Sequence, residues 1–149
     1  WYRRADRFGQ IFQPTDSDTG TAQPVLFQNL AGTQIGSITT NATATAFNTS
    51  SDIRLKHAVA TLTGPLARVK ALRPVTFKWN STDEPDEGFL AHELQQHVPH
   101  AVSGEPDAVN DDGSVRPQQV DHSKLVVWLV SALQEVTQRL EALESALGV

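Results

Sequence analysis

The chain has 149 residues, a formal net charge of -5, 39% apolar and 19% charged side chains, a balance typical of one or two small globular domains. Cysteine is absent, which excludes disulfides, thiolate metal sites and a cysteine nucleophile. No run of about 18 apolar residues occurs and no basic-then-apolar leader begins the chain, so neither a membrane span nor secretion by that route is indicated.

The charges divide unevenly along the chain. Residues 1–50 carry three arginines and three aspartates, whereas residues 51–149 carry nine basic and fourteen acidic side chains, which leaves all of the net charge of -5 in the second part. Because phosphate contacts dominate nucleic-acid affinity, an acidic domain without a basic stripe is a poor nucleic-acid binder. Methionine is also absent, which indicates a piece of a longer protein that lies mostly upstream.

The first fifty residues show β patterns and no helical periodicity. Residues 36–47 alternate alanine with larger side chains and predict one strand, in which Ala42, Ala44 and Ala46 share a face. Such a face would let copies of the strand approach closely about a symmetry axis. Residues 25–27 and 34–36 predict shorter strands, separated by a turn at 29–32. A segment with so little apolar area to bury needs partners to fold. The alternative is that residues 1–50 form an exposed linker.

The middle of the chain predicts mixed structure. A helix is expected over 64–72 and a strand over 75–79, followed by a polar loop over 80–87. A second polar loop covers 103–117, and its Asn-Asp-Asp-Gly sequence at 110–113 suits the turn of a protruding hairpin. The fold class is therefore α+β.

A long helix is predicted over 123–147, where neither glycine nor proline occurs. Asp121 or Ser123 can cap its start, and Gly148 stands where a C-terminal cap is expected. Seven apolar residues alternate spacings of three and four, as the a and d positions of a coiled coil do. These are Val126, Leu129, Leu133, Val136, Leu140, Leu143 and Leu147.

Residues of this helix outside the a and d positions indicate two kinds of contact. Arg139 follows Glu135 by four residues, a favourable intrahelical pair, and it could reach Glu144 of a neighbouring parallel helix. Val127, Trp128 and Val130 broaden the apolar stripe near the start of the helix, which predicts docking on the domain there and association between copies further on. The alternative is a helix that packs only on its own domain.

Two candidate catalytic residues lie close to the junction between residues 1–50 and residues 51–149. Ser51 and Lys56 are five residues apart. A helix would point the two side chains in different directions and a strand would place them on opposite faces, so a turn or a second chain must bring them together. By spacing alone, a helix cap and a solvated cation are the commoner roles. No metal site or cofactor is predicted: His92 and Glu93 lack the second histidine of a zinc motif, because Gln96 stands there, and no glycine-rich phosphate loop occurs.

Four blocks of sequence, in order, resemble one known family. They are AFNTSSDIRLK at 46–56, LRPVTF at 72–77, GFLAHEL at 88–94 with VP at 98–99, and VDHSKL at 120–125. Together they look like the C-terminal intramolecular chaperone domain of bacteriophage tail fibres, tailspikes and endosialidases, a self-cleaving serine peptidase family. The first block is the most specific.

The resemblance implies a function and its residues. A β-rich trimeric fibre stem would end at residue 50, and residues 51–149 would form a chaperone domain whose long helix makes a trimeric coiled coil. The cut would fall between Ser50 and Ser51, with Ser51 as nucleophile and Lys56 as its base. Asp52 and Arg54 would shape the turn, and His92 and Glu93 match a second motif, in which His92 carries a lesser catalytic role.

The implied chemistry is coherent with the residues. A serine hydroxyl can attack the carbonyl of its preceding residue, giving an ester that water hydrolyses. A lysine serves as base only if its pKa falls well below about 10.4, and burial or a neighbouring cation lowers it. Cleavage should therefore wait for folding.

The partners implied are two further copies of the chain and the upstream stem, without nucleic acid or membrane. Assembly would occur in the host cytoplasm, leaving the mature fibre on the virion tail and the chaperone released. Two alternatives stay open: a permanent trimeric fibre tip that never cuts, and a Ser/Lys hydrolase acting on a separate substrate.

Overall fold

The computed structural model describes residues 21–148, which fall into two compact units, one ending at Val59 and the other beginning at Ala60. Residues 1–20 of the predicted stem and the final residue, Val149, lie outside the described residues. No helix in the described part of the chain has the length and apolar character needed to cross a membrane.

The first unit contains a three-stranded antiparallel sheet in the order β1 (Ala22–Gln28), β2 (Gln34–Thr40) and β3 (Thr45–Thr49). The two shorter strands predicted from the sequence are confirmed within β1 and β2. The turn between them is confirmed as well, since the Asn29 side chain accepts backbone N–H bonds from Ala31 and Thr33 at 3.0 and 2.9 Å. Gly32 has a φ of 78°, a conformation that glycine adopts without strain.

The single strand predicted over 36–47 is wrong, because the chain turns back inside it. Asn41 accepts backbone N–H bonds from Thr43 at 2.9 Å and from Ala44 at 2.8 Å, and its own N–H donates to the Ala44 carbonyl at 3.0 Å. This asparagine turn converts the run into a hairpin of β2 and β3. Ala42 and Ala44 lie in the turn, so the predicted alanine face does not form.

The sheet of the first unit is a single thin layer. Among residues 21–59, only Gly36 and Ser37 are buried, and Phe47 on β3 is 81% exposed. The close pairing of β2 with β3 requires glycine at position 36, because a Cβ there would lie 2.8 Å from the backbone oxygen of Asn48 on β3. A sheet that buries so little apolar area has little stability of its own in water.

The second unit is mixed, which confirms the α+β class. Its elements in chain order are α1 (Pro65–Ala71), β4 (Val75–Lys78), β5 (Pro85–Gly88), α2 (Ala91–His97), β6 (Val102–Ser103), β7 (Gln119–Val120) and α3 (Val126–Leu147). The loop predicted over 80–87 is wrong at its end, where β5 pairs antiparallel with β4. Its proline and acidic residues disfavour a strand, and pairing along β4 overrides that preference.

The core of the second unit is small and lies between α2 and the start of α3. Leu94, Val98, Ala101 and Leu125 are buried there, and partly buried apolar side chains surround them: Leu72, Phe89, Val102, Val120 and Trp128. The predicted turn at 110–113, in the segment that connects β6 to β7, is confirmed. The Asn110 N–H donates to the Ser114 carbonyl at 2.9 Å, and Gly113 has a φ of 79°.

The predicted long helix and its C-terminal cap are confirmed, while the predicted cap Asp121 begins a 3-10 turn, His122–Leu125, that leads into α3. Asp121 accepts a bond from the Ser123 backbone N–H at 3.0 Å, a 3-10 turn follows, and Gly148 ends the helix with a φ of 73°. The intrahelical pair of Glu135 and Arg139 also forms.

One side of α3 packs on α1. The Arg68 guanidinium lies 3.9 Å from the centre of the Trp128 ring, and the Leu66 N–H donates to the Glu135 carboxylate at 3.3 Å. Ala132 is buried on the same side. Docking through Trp128 is thus confirmed, whereas docking through Val127 and Val130 is wrong, because these valines are 59% and 50% exposed. Successive side chains of a helix point about 100° apart around its axis, so Val127 and Val130 point away from the side that α1 covers.

Candidate functional site

The predicted nucleophile and base meet immediately after β3. The Lys56 Nζ donates a hydrogen bond to the Ser51 Oγ at 2.7 Å. A 3-10 turn over Ile53–Leu55 lies between them and ends where the Lys56 N–H donates to the Ile53 carbonyl at 3.0 Å. The turn therefore brings together two side chains that neither a helix nor a strand would place in contact at this spacing.

Asp52 and Arg54 hold this turn. One carboxylate oxygen of Asp52 accepts the Arg54 backbone N–H at 2.8 Å, which caps the turn. The Arg54 side chain binds the same carboxylate in a bidentate manner, at 2.9 Å from Nε and 2.6 Å from Nη2. The Arg54 side-chain bond holds the pKa of Asp52 below its usual range, so the carboxylate is charged near neutral pH. The charge of Arg54 is paired with that of Asp52.

The residue before the nucleophile is fixed to β2. Ser50 donates its backbone N–H to the Ile35 carbonyl at 3.0 Å and its hydroxyl to the Gln34 carbonyl at 3.1 Å. These two bonds extend the pairing of β2 with β3 by one residue beyond Thr49. Sequence reasoning did not find this contact, because the acceptors are backbone atoms fifteen and sixteen residues upstream.

Both members of the pair are accessible in the single chain. Ser51 and Lys56 are exposed, as are Ile53 and Leu55 of the intervening turn, at 67% and 62%. The pair thus has the hydrogen-bond contact that proton transfer needs, and both side chains are open to water.

His92 and Glu93 belong to the second unit and lie in the first turn of α2. Glu93 accepts two bonds from the Arg73 guanidinium, one of them at 2.9 Å, and the Arg73 hydrogen bond lowers the pKa of Glu93. This pair borders a cavity of about 230 Å³ that is also lined by Leu72, Phe89 and Leu94. His92 is exposed. The Arg73 partner was not predicted, although both residues lie in the matching blocks.

The described residues contain no group of three or more histidine, aspartate or glutamate side chains arranged to hold a metal ion. Serine and lysine chemistry needs no metal, since the amine can take the hydroxyl proton directly.

One family model matches the part of the chain that carries the dyad. The family model described as chaperone of endosialidase, Peptidase_S74, matches residues 51–103, just over a third of the chain. The match begins at Ser51, and it includes both Lys56 and the first turn of α2. No curated protein matches the chain. Over residues 51–103 the chain is therefore similar to the chaperone-of-endosialidase family, which confirms the resemblance found in the sequence.

Proposed function

We propose that residues 51–149 form an intramolecular chaperone, which trimerises a phage tail fibre or tailspike in register and then cuts itself off between Ser50 and Ser51. The observation that carries the proposal is the 2.7 Å bond from the Lys56 amine to the Ser51 hydroxyl, at the first residue of the family match. Nucleophile and base in hydrogen-bond contact are the arrangement that covalent catalysis requires.

The reaction proceeds in two steps. Neutral Lys56 takes the Ser51 Oγ proton as the oxygen attacks the Ser50 carbonyl carbon, forming a five-membered ring. The C–N bond then breaks, and Lys56 returns the proton to the departing Ser51 amine, which leaves Ser50 esterified to Ser51. Water adds to that ester, so the Ser50 carboxylate and the Ser51 hydroxyl are released.

Trimerisation is supported by the exposed seam of α3, the name used here for its seven a and d residues. Their exposure in the single chain runs from 43% at Val136 to 76% at Leu147. Since α1 covers a different side of α3, the seam is accessible along the whole helix. Its heptad spacing fits further copies of the same helix, and Arg139 would reach Glu144 of a parallel neighbour.

A chaperone of this kind answers a folding problem in the stem. The described stem sheet is one layer with Phe47 exposed, and its strands would have to find partners on other chains. Such nonlocal pairing is slow and exposed to aggregation. A helix that associates locally raises the effective concentration of the attached strands, and cleavage afterwards leaves the assembled stem protected by its unfolding barrier.

A denaturing gel tests the proposal directly. Wild-type protein should give fragments of 50 and 99 residues, which follow from the cut after residue 50 of 149. Ser51→Ala and Lys56→Ala should give only the full chain, and Lys70→Ala serves as an exposed lysine control that still cuts. Full-length wild-type chain under conditions in which it is trimeric would contradict self-cleavage. His92→Ala on the same gel tests the catalytic role that the resemblance extends to His92.

The exposure of the dyad favours one alternative, a permanent trimeric fibre tip that keeps the fold and does not cut. In this alternative the dyad stays exposed in the assembly and the chain stays whole. Trimeric, full-length wild-type protein would establish this alternative. In the proposal, assembly takes place in the host cytoplasm, and the chaperone is released while the fibre remains on the virion tail.

A further inference from the structure

We infer that Ser50 is a positioning residue, and that its two bonds to β2 make cleavage conditional on the pairing of β2 with β3. The inference rests on the proposed self-cleavage and names the part of the stem on which it depends. The observation behind it is the double contact of Ser50, through its N–H to Ile35 and through its hydroxyl to Gln34.

The scissile peptide lies between two anchors. On its amino side, Ser50 is bonded to β2 at 3.0 and 3.1 Å. On its carboxyl side, the Ser51 hydroxyl is held by Lys56, and the next residue, Asp52, caps the 3-10 turn. Few backbone torsions remain free between the anchors, so the Ser50 carbonyl has a defined direction only while both are in place.

The direction of that carbonyl decides the rate of attack. Nucleophile and target belong to adjacent residues, so their approach depends on rotation about the Ser50 and Ser51 backbone bonds. Holding reacting atoms in an attack geometry accounts for a large part of the rate of intramolecular reactions. When β2 and β3 separate, Ser50 loses its anchor while Ser51 and Lys56 keep their contact through the local turn. An unfolded stem would therefore carry an assembled dyad and a misdirected carbonyl.

Variants of Ser50 separate positioning from bulk structure. Ser50→Ala deletes the hydroxyl bond and should slow the first-order cleavage of newly synthesised chain about tenfold, the effect of losing one positioning hydrogen bond. Ser50→Thr keeps a hydroxyl and suits an extended strand, so it should restore the rate to near wild type. Cell-free synthesis with a labelled pulse, sampled onto denaturing gels, gives these rate constants on the full chain.

A second variant disturbs the anchor without touching Ser50. Gly36→Val places a Cβ where the Asn48 carbonyl oxygen is only 2.8 Å away, which forces β2 and β3 apart one residue from the Ser50 contacts. Cleavage should slow about a hundredfold, as misplacement of reacting groups by about 1 Å does. Thr45→Val, at the exposed far end of the same hairpin, is the matched control and should cut normally.

The outcomes distinguish this inference from the proposal beneath it. Uncut wild-type trimer contradicts self-cleavage itself. Wild type that cuts, together with Ser50→Ala and Gly36→Val cutting at the wild-type rate, overturns the inference alone. Slow Ser50→Ala with equally slow Ser50→Thr also overturns it, because the hydroxyl then has no separate effect. Trimer content, measured for each variant in a Ser51→Ala background, should equal that of the parent; slow cutting that is explained by reduced trimer content also overturns the inference.

Discussion

Truncating one leucine of the exposed seam should weaken trimerisation strongly without disturbing the helix. Leu133 is 67% exposed in the single chain, so most of its burial would have to come from neighbouring copies. Leu133→Ala removes that apolar surface, and alanine has the highest helix propensity, so the helix itself is not weakened. The variant therefore isolates the contact between chains.

The magnitude follows from the exposed fraction. Truncation of a fully buried leucine to alanine costs about 2–5 kcal/mol, and two-thirds of that gives about 2 kcal/mol per chain, or about 6 kcal/mol for three chains. At about 1.4 kcal/mol per tenfold change, the association constant of three chains falls about 10⁴-fold. The concentration at which half the chains are trimeric varies as the square root of that constant, so it should rise about a hundredfold.

Sedimentation velocity over a range of protein concentrations measures this shift, in a Ser51→Ala background that keeps the chain whole. Gln134→Ala is the matched control, because its side chain is exposed outside the seam and alanine there also raises the helix propensity. An unchanged midpoint for Leu133→Ala would refute the assignment of the seam as the contact between copies. A weakened Gln134→Ala would refute it as well, since that position lies outside the seam.

Three further results are expected. Asp52→Ala should slow cleavage about tenfold on a timed denaturing gel, because the turn that joins the dyad loses its cap; Asp52→Asn, which keeps an acceptor oxygen, should cut faster than Asp52→Ala. The hydrogen bond from the Ser123 side chain lowers the pKa of Asp121 in the folded chain. The ionised Asp121 carboxylate therefore stabilises the fold fully above its unfolded pKa of about 3.9, and this stabilisation is lost as the pH falls through the lower folded pKa. Asp121→Asn should remove this component of acid sensitivity in circular dichroism, and an unaltered acid profile would contradict it. Arg68→Met should lower the free energy of unfolding of the second unit by about 0.5–1 kcal/mol in urea, through loss of the contact with the tryptophan of α3; an equal loss in Lys70→Met, an exposed position on the same helix, would show that the contact is not responsible.

Sequence patterns predicted those elements that depend on repeated local spacing. The heptads from Val126 to Leu147 gave the long helix, and Asp121 and Gly148 marked its ends, because helix capping uses side chains within a few residues. The turn at 110–113 followed in the same way from its asparagine and glycine. β5 was missed, because its residues disfavour strands and only pairing with β4 makes them extended.

Sequence alone therefore determined the α+β class, the helix with its seam and the resemblance now matched over residues 51–103. The folded structure decided the rest: that Asn41 turns a predicted strand into a hairpin, that α1 covers the side of α3 next to the seam, and that Ser51 meets Lys56. The physical reason is common to these cases. A spacing in sequence does not fix a contact until hydrogen bonds select the torsions of the few residues between, and here Asp52 makes that selection for the dyad.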